Sequence, residues 1–408
     1  MEVIIAICVL LLLAYFFDLT AAFTKIPTVI LLLLLGWVVR QAVHFFGFDF
    51  PDLEPLLPVF GTVGLILIVL EGTIDLELNI SKIGIINKSF VGTIVPMLAM
   101  TFLIGYGFVE FSGCTFRQGI VNAIPFGVIS SAIAIPSVRH LHRKNREFIT
   151  YESSLSDVIG VLFFNFISFH QIINGKTFAV FGGQLIIMII ISMAATLLMS
   201  YLLNKIEHHI KFVPIIILII LIYELAKISH LPALIFVMIL GLFLGNLDQL
   251  KNVKWMKFFN PEGLDKEVHK LEELTIEAAF LIRSLFFLLF GFLMETKEIL
   301  NPETFVWALS IIAIIYAFRF IQLTITNLPI APLLFVAPRG LITILLFISV
   351  KENDKIMLVS RSLVIQVILL SILVMMIGLM WHKPQKDDAK ISEPHQNAIG
   401  PTEETSVG

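Results

Sequence analysis

Two carboxylates lie close together in a segment that is otherwise apolar enough to cross a membrane. Glu152 and Asp157 belong to the run Glu-Ser-Ser-Leu-Ser-Asp-Val-Ile-Gly-Val-Leu-Phe-Phe-Asn. An ionisable side chain near the bilayer centre costs about 2.5–3.5 kcal/mol on insertion scales, so such residues usually face a cavity or a partner. A buried carboxylate can bind a proton or a hard monovalent cation, because both compete for the same oxygens. We interpret this segment as the chemical centre of the protein.

Helical geometry separates the two carboxylates and predicts different roles for them. At about 100° per residue, Asp157 shares its helix face with Ser153, Ser154 and Gly160, whose small side chains leave room for water or an ion. Glu152 lies about 140° round the helix from Asp157 and points elsewhere. We expect Asp157 to be the working group and Glu152 to be structural.

The composition excludes a soluble globular protein. Hydrophobic residues make up 58% of the chain and charged residues only 14%, and the mean hydropathy is +0.95. Cys8 and Cys114 are too few for a disulfide framework. The sequence has no nucleotide-binding glycine loop, metal-ligand cluster or nucleophile elbow, so we expect neither an enzyme nor a cofactor. No basic tract suggests nucleic acid as a partner.

The elements that must position the carboxylates are transmembrane helices. Apolar runs long enough to cross about 30 Å of hydrocarbon predict an all-α polytopic membrane protein with about 13 transmembrane helices. These runs lie near residues 3–17, 26–43, 58–72, 89–109, 118–138, 152–171, 181–203, 213–228, 232–246, 275–294, 303–323, 330–349 and 361–381. The runs at 213–228 and 232–246 could instead be one kinked element. The first run lacks the flanking charges and cleavage site of a secretory signal, and we expect it to be retained.

Charge distribution predicts the orientation and the domain limits. Lys and Arg collect on the face that carries Arg139 to Arg146, which predicts an external amino terminus and a cytoplasmic carboxyl terminus. We expect a transmembrane domain over 1–382 and a disordered cytoplasmic tail over 383–408, because the tail is too polar to form a core. The stretch 246–273 is either a connector at the membrane interface or a solvated loop.

Two predicted spans carry interruptions that ordinary apolar helices avoid. The interruptions are Ser130-Ser131-Ala-Ile-Ala-Ile-Pro136 in the fifth span and Ala-Pro338-Arg339-Gly340 in the twelfth span. Pro removes a backbone donor and Gly loosens a helix, so backbone groups can be freed there to face a cavity. The fifth and twelfth spans are seven spans apart, an odd number, so the two segments cross in opposite directions. Such a pair predicts inverted repeats with two discontinuous crossing helices and a site near the midplane.

Several segments resemble the monovalent cation/proton antiporter superfamily, and its sodium/hydrogen exchanger family in particular. Residues 152–157 are similar to the Glu-Ser-x-x-Asn-Asp signature of sodium/proton exchangers, with Ser156 in place of Asn. Lys25-Ile-Pro-Thr-Val-Ile and Glu71-Gly-Thr-Ile-Asp75 resemble the second and third spans of the superfamily. Arg319 lies where such exchangers have a basic residue, and Pro338-Arg339-Gly340 is similar to their broken twelfth helix.

The residues and the resemblance together predict the site. Asp157 would bind Na⁺ or H⁺ in turn, and hydroxyl oxygens could support the cation, because hard cations prefer oxygen ligands. The supporting hydroxyls are those of Ser130, Ser131 and Ser156. The resemblance implies a buried ion pair between Glu152 and Arg319, and opposite charges at membrane depth would lower each other's cost. The residues expected to support the broken helices are Arg339, Pro136, Pro338 and Gly340.

These observations favour a secondary antiporter that exchanges Na⁺, with Li⁺ accepted, for H⁺ without net charge transfer. Arg319 favours the electroneutral form, because Arg deprotonates too reluctantly to carry a proton as Lys can. The resemblance also implies a homodimer, and we expect the inner membrane of a prokaryotic cell. Ser130-Ser131-Ala132 is closer to the potassium-handling branch, so a K⁺/H⁺ antiporter is an alternative. A channel or non-transporting sensor is another, whereas an organic-anion symporter would not need an acid at position 157.

Overall fold

A computed structural model describes residues 2–24, 26–47, 52–76, 78, 82–172, 174–205, 211–250 and 261–381. All regular secondary structure in these residues is helical, which confirms the predicted all-α fold. The predicted tail at 383–408 lies outside the described residues, as do Lys25 and the middle of the predicted connector, residues 251–260.

The helices pack into two groups that contact each other along a shared boundary. The first group contains α1 (Glu2–Thr24), α2 (Thr28–Phe46), α3 (Leu56–Ile74), α8 (Gly175–Lys205), α9 (Phe212–Ile228), α10 (Leu234–Gly245), α11 (Leu247–Leu250) and α12 (Pro261–Leu293). The second group contains α4 (Ile83–Ser112), α5 (Phe116–Gly127), α6 (Ser131–Ser137), α7 (Arg143–Phe169), α14 (Pro302–Ile325), α15 (Leu341–Ser349) and α16 (Arg361–Trp381). The short α13 (Thr296–Ile299) links the groups. Helix α3 lies at the boundary and contacts α6, α7 and α15.

Local sequence explains where several of these helices begin and end. Thr115 and Gln118 form a reciprocal capping box at the start of α5, which satisfies otherwise orphaned backbone donors. Asn301 caps α14 directly before a Pro at its first position, where the missing N–H costs nothing. Gly113 ends α4 at a φ of 64°, a left-handed conformation that glycine adopts without steric cost.

Helices correspond to the predicted apolar runs, but the predicted count of about 13 transmembrane helices is not confirmed. Among the described residues, nine helices are long and apolar enough to cross a membrane, and α10 and residues 8–21 of α1 form shorter apolar helices. The runs at 213–228 and 232–246 are two separate helices rather than one kinked element. The chain turns between α9 and α10 at His230, whose φ is +57°.

Asp354 and Arg139 lie at opposite ends of the molecule and identify them. On the Asp354 side, Arg117 pairs with Asp354 at 2.6 Å and donates to the carbonyl of Ser168 at the end of α7. On the Arg139 side, a cavity opens between the helix groups and is lined by Arg139 and Asp75. Helix α3 ends directly before Asp75 and so reaches the Arg139 side.

The two discontinuous segments cross in opposite directions, as predicted. Residues 128–130 separate α5 from α6, and residues 336–340 are non-helical directly before α15. The backbone N–H of Ser130 donates to the carbonyl oxygen of Pro338 at 2.9 Å, so the two breaks touch. The first break differs from expectation, because Pro136 lies in the last turn of α6, at the end farthest from the break. The N–H that Pro136 lacks would have donated to the carbonyl four residues earlier, inside α6, so this proline does not create the break.

Candidate functional site

Asp157 lies in the interior of α7, directly against the first break. Its side chain is 1% exposed. One carboxylate oxygen, Oδ2, accepts a hydrogen bond from the Ser131 hydroxyl at the start of α6. The other oxygen, Oδ1, has no hydrogen-bond partner in the described part of the chain. A buried oxygen without a donor is available to a proton, a water molecule or a cation.

The two other serines expected beside Asp157 have different surroundings. The Ser130 hydroxyl is 1% exposed and, within the described ranges, has no partner. The Ser156 hydroxyl instead accepts a hydrogen bond from the backbone N–H of Ile129 at 2.9 Å. Ser156 thus holds the first break in place, while Ser130 keeps a free oxygen.

Arg339 lies among the carbonyl groups that the breaks expose. Its guanidinium is fully buried and donates to the carbonyl of Phe126 at 2.7 Å and to that of Ala337 at 2.8 Å. Its backbone N–H donates to the Ser371 hydroxyl on α16 at 2.9 Å. A cation is favourable at helix carboxyl ends, where unsatisfied carbonyls carry partial negative charge. The contacts of Arg339 are to protein groups on both breaks.

Gly340 allows the two breaks to approach each other. A Cβ atom on Gly340 would lie 3.1 Å from the Ser130 hydroxyl oxygen and would overlap the side chain of Ile133. Its φ of −172° is an extended conformation open to any residue, so the requirement is for space. Pro338 supplies the carbonyl that receives the Ser130 N–H.

Glu152 and Arg319 form an ion pair between α7 and α14, with both side chains almost completely buried. Gln322, one turn further along α14, donates to the same Glu152 oxygen and accepts a hydrogen bond from Arg319 at 3.2 Å. Arg319 also donates to the carbonyl of Leu333 at 3.1 Å, which fixes the chain leading into the second break. The pair therefore joins three segments of the second helix group.

A cavity of about 490 Å³ leads from the Arg139 side toward Asp157. Its lining includes Glu71 near the end of α3, Ile135 of α6, and Thr150 and Tyr151 of α7. Asp75 follows the last residue of α3, at the mouth of this cavity. The lining carries three carboxylates, the third from Glu147, and three basic side chains, so the cavity is strongly polar without a net excess of acidic residues. The basic side chains are those of Lys82, Arg139 and Arg146.

The charge of this mouth depends on pH. Burial, together with the carboxylate of Glu272 on α12, raises the pKa of Asp75 to about 6. Glu71 also raises this pKa, whereas Arg146 opposes the rise. Asp75 is therefore negatively charged mainly above about pH 6 and neutral below it.

The chain matches a known protein family over nearly its whole length. The sequence profile of the family described as "Sodium/hydrogen exchanger, transmembrane" matches residues 7–382. The chain belongs to the sodium/hydrogen exchanger family. Members of this family are cation/proton antiporters in the membrane and not enzymes, and the resemblance seen in the sequence is confirmed. None of the curated proteins searched matches this exchanger significantly.

Solved structures support the same fold. The exchanger is similar to the structure of the sodium proton antiporter MjNhaP1 from Methanocaldococcus jannaschii at pH 8, with a TM-score of 0.68 and 18% identity. That match covers 93% of this chain and 100% of the other. An electron-microscopy map of the same antiporter matches with a TM-score of 0.64 at 18% identity, over 94% of this chain and 99% of the other.

Two polar residues of the exchanger's interior were missed by sequence reasoning. Gln322 follows Arg319 by one turn in an otherwise apolar run, and that spacing could have indicated a shared partner. Ser371, which receives the Arg339 backbone N–H, carries no comparable local signal. Ser371 reaches Arg339 only because α16 packs against the second break, and the local sequence around Ser371 does not reveal that packing.

Proposed function

We propose that this exchanger binds Na⁺ and H⁺ alternately at Asp157 and exchanges them one for one. The observation that carries the proposal is the Asp157 carboxylate, buried where two broken helices meet, with one oxygen lacking a partner among the described residues. A proton or a partly dehydrated alkali cation can neutralise this group. Either one would remove most of the cost of moving it across the bilayer centre.

Strict exchange follows from the energy of the empty state. A bare carboxylate buried without a counter-charge costs several kcal/mol, whereas the protonated or cation-bound form is neutral. Reorientation is therefore fast only when Asp157 carries H⁺ or one monovalent cation. Each cycle then moves one positive charge in each direction, so the exchange is electroneutral. Arg319 is held by Glu152 and does not act as a second proton carrier.

The remaining assignments belong to the same proposal. The basic Arg139 side would face the cytoplasm, since short cytoplasmic loops are enriched in Lys and Arg. Ser130 and Ser131 would support the cation, while Glu152, Arg319 and Arg339 would hold the scaffold. A homodimer in the cell membrane rests on resemblance to the family. K⁺ in place of Na⁺ is the second candidate, favoured by the serine pair at the first break.

Proton flux in proteoliposomes tests the proposal. The protein is reconstituted into liposomes that contain a pH dye. Na⁺, Li⁺ or K⁺ is then added outside while the membrane potential is clamped. We expect a saturable internal alkalinisation in wild type, because each cation that enters is exchanged for an H⁺ that leaves, and no such change in Asp157→Asn. The same wild-type rate at different clamped potentials would support electroneutrality, and the responding ion would distinguish the two cation candidates.

Folding of the variant is checked separately. Asparagine has nearly the same shape as aspartate and removes the cost of burying a charge, so Asp157→Asn should unfold at or above the wild-type temperature. Transport by Asp157→Asn at the wild-type rate would overturn the proposal. Conduction that does not saturate would indicate a channel instead.

A further inference from the structure

Arg283 on α12 is a buried guanidinium that the proposed exchange does not use. It is 7% exposed and, within the described residues, makes no hydrogen bond or ion pair. The buried Arg319 and Arg339 both have partners, a carboxylate in one case and backbone carbonyls in the other. Arginine carries five N–H donors and stays charged, so its burial without acceptors is costly and needs an explanation, such as a bound water molecule or ion.

The Arg283 side chain lines a small chamber between α1, α2, α6 and α12, with a volume of about 20 Å³. The polar part of the lining comprises Asp18, Thr28, Ser137, Arg283 and Ser284, and the rest is apolar. The Ser284 hydroxyl is 1% exposed and also lacks a partner in the described part of the chain. Since about 10–15 Å³ suffices for one water molecule, the chamber has room for one particle of that size or slightly larger.

The charges around the chamber favour an anion. Asp18 is already engaged, since it accepts from the Thr28 hydroxyl at 3.2 Å and lies 3.9 Å from Arg139. Glu71 attracts both Arg283 and Arg139 from the neighbouring cavity, but in the described structure it makes no ion pair with Arg283. Helix α2 begins at Thr28 without a side-chain cap, and a helix amino terminus carries partial positive charge. A small anion beside Arg283 would supply the counter-charge that no contacting carboxylate provides.

The chamber can be reached from the Arg139 side. It shares Asp18, Thr28 and Ser137 with an outer cavity of about 240 Å³, which Arg139 and His140 also line. An ion can therefore enter from solution without crossing the apolar interior. The chamber shares no lining residue with the cavity that leads toward the exchange site.

We propose that Arg283 and Ser284 bind one halide ion, such as chloride, in this chamber. The guanidinium and the hydroxyl both donate to the ion, which neutralises the buried charge and needs the space of only a single atom. Sulfate and organic anions are too large for the chamber. Because the chamber lies between α12 of the first helix group and α6 of the second, the ion also joins the two groups. The assignment does not depend on the proposed exchange at Asp157.

Thermal unfolding of the purified protein tests the assignment without any transport measurement. The buffer contains choline chloride, choline bromide or choline gluconate at constant ionic strength, so no alkali cation is present. A ligand that binds only the folded state raises the unfolding midpoint as its concentration increases. Wild type should unfold at a higher temperature in chloride or bromide than in gluconate, and this increment should grow as chloride replaces gluconate.

Two variants of the chamber and two controls locate the bound ion. Arg283→Gln should weaken chloride binding more than about tenfold and so lose most of the increment, and Ser284→Ala should weaken it about tenfold. The controls are Arg117→Gln, which removes a guanidinium paired at the Asp354 side, and Ser200→Ala, which removes a buried hydroxyl on α8. Both controls should keep the wild-type increment, even where their midpoints fall in all three salts.

The increment within each variant, and not its absolute midpoint, decides the outcome. Equal wild-type midpoints in chloride and gluconate would show that the chamber holds water only, and would overturn the assignment. A full increment in Arg283→Gln would place the chloride elsewhere, with the same consequence. If Arg283→Gln does not fold, Arg283→Lys, which keeps the charge but fewer donors, should show a reduced increment. Asp157→Asn should keep the wild-type increment, so failure of the proposed exchange would leave the halide site standing.

Discussion

The Glu152 carboxylate accepts from Arg319 and Gln322 on one oxygen, whereas the Asp157 carboxylate has a hydroxyl as its only side-chain donor in the described structure. Both groups are buried on the same helix, so depth does not distinguish them. The difference lies in the counter-charge. Glu152 has a permanent counter-charge in Arg319, whereas Asp157 has no basic side chain paired with it in the described structure.

Removing the fixed charge at position 152 should therefore damage stability. Glu152→Gln is expected to cost about 3–5 kcal/mol, because the Arg319 guanidinium stays buried without its counter-charge. Thermal unfolding of purified protein in detergent, followed by tryptophan fluorescence, reports this as a lower midpoint. The double variant Glu152→Gln/Arg319→Gln should lose less than the sum of the two single variants, because both charges leave together.

An exposed ion pair provides the control. Glu224 pairs with Lys227 on α9 at 3.5 Å, and both side chains are largely exposed. Glu224→Gln should cost less than about 1 kcal/mol, because water screens the pair. If the two Glu→Gln variants unfolded at the same temperature, the buried pair would not have the structural role assigned to it.

At the scale of elements, the sequence predicted much of the arrangement around the two breaks. Hydropathy located the helices, and helical periodicity correctly separated the faces of Glu152 and Asp157. The position of the first break could not be read in the same way. Pro136 was the local signal, but the break is held by Ser130 bonding to Pro338 and Ile129 bonding to Ser156, partners that are distant in sequence. Local propensity cannot reveal such contacts.

The close contact between the breaks predicts the effect of a single methyl group. Gly340→Ala should destabilise the protein by about 1–3 kcal/mol, because the new Cβ atom overlaps Ile133 and presses on Ser130. We expect a lower unfolding midpoint and a lower exchange rate in proteoliposomes. Gly107→Ala adds the same methyl group where there is open space and should leave both unchanged. Wild-type stability and rate in Gly340→Ala would show that the breaks can separate without cost.

The whole molecule is asymmetric between its two ends. On the Arg139 side the two helix groups leave a cavity, whereas toward the Asp354 side α3 of the first group packs against α15 of the second. Gly61 allows this contact, since a Cβ atom there would lie 3.0 Å from Leu345 Cγ. The two helix groups are therefore separated by a cavity on the Arg139 side and in contact toward the Asp354 side. Exchange requires a second state, in which the contacts near the Asp354 side open.

Arg361 is positioned to resist that opening. It begins α16 in the second group and donates to the carbonyl of Leu293 at the end of α12, in the first group, at 2.7 Å. It also lies 3.3 Å from the carboxylate of Glu54, just before α3, and 3.6 Å from that of Glu298 on the linking α13. A charge-assisted hydrogen bond between the groups stabilises the closed end by about 1.5–3 kcal/mol. Loss of these contacts should therefore favour the opposite state.

Arg40 offers a closely matched comparison, because it makes similar contacts inside one group. It donates from α2 to the same Leu293 carbonyl at 2.9 Å and to Glu295 at 3.1 Å, and its exposure of 32% nearly equals the 31% of Arg361. Arg361→Gln should shift the protein toward opening on the Asp354 side about tenfold, whereas Arg40→Gln should not. Each variant removes one guanidinium of similar exposure. The guanidinium of Arg361 joins the two helix groups, whereas that of Arg40 does not.

Chemical labelling can detect the shift. Leu345→Cys is introduced into protein whose native Cys8 and Cys114 are changed to Ser, and a membrane-impermeant maleimide is added from the Asp354 side. Leu345 is 9% exposed in the closed arrangement, so its labelling rate reports the fraction of molecules open on that side. We expect Arg361→Gln to raise this rate about tenfold.

Arg361→Lys should give a smaller rise, since Lys keeps the charge but cannot reach all three acceptors from one planar group. Equal labelling rates in the Arg361→Gln and Arg40→Gln backgrounds would mean that packing between α3 and α15, and not Arg361, keeps the Asp354 side closed.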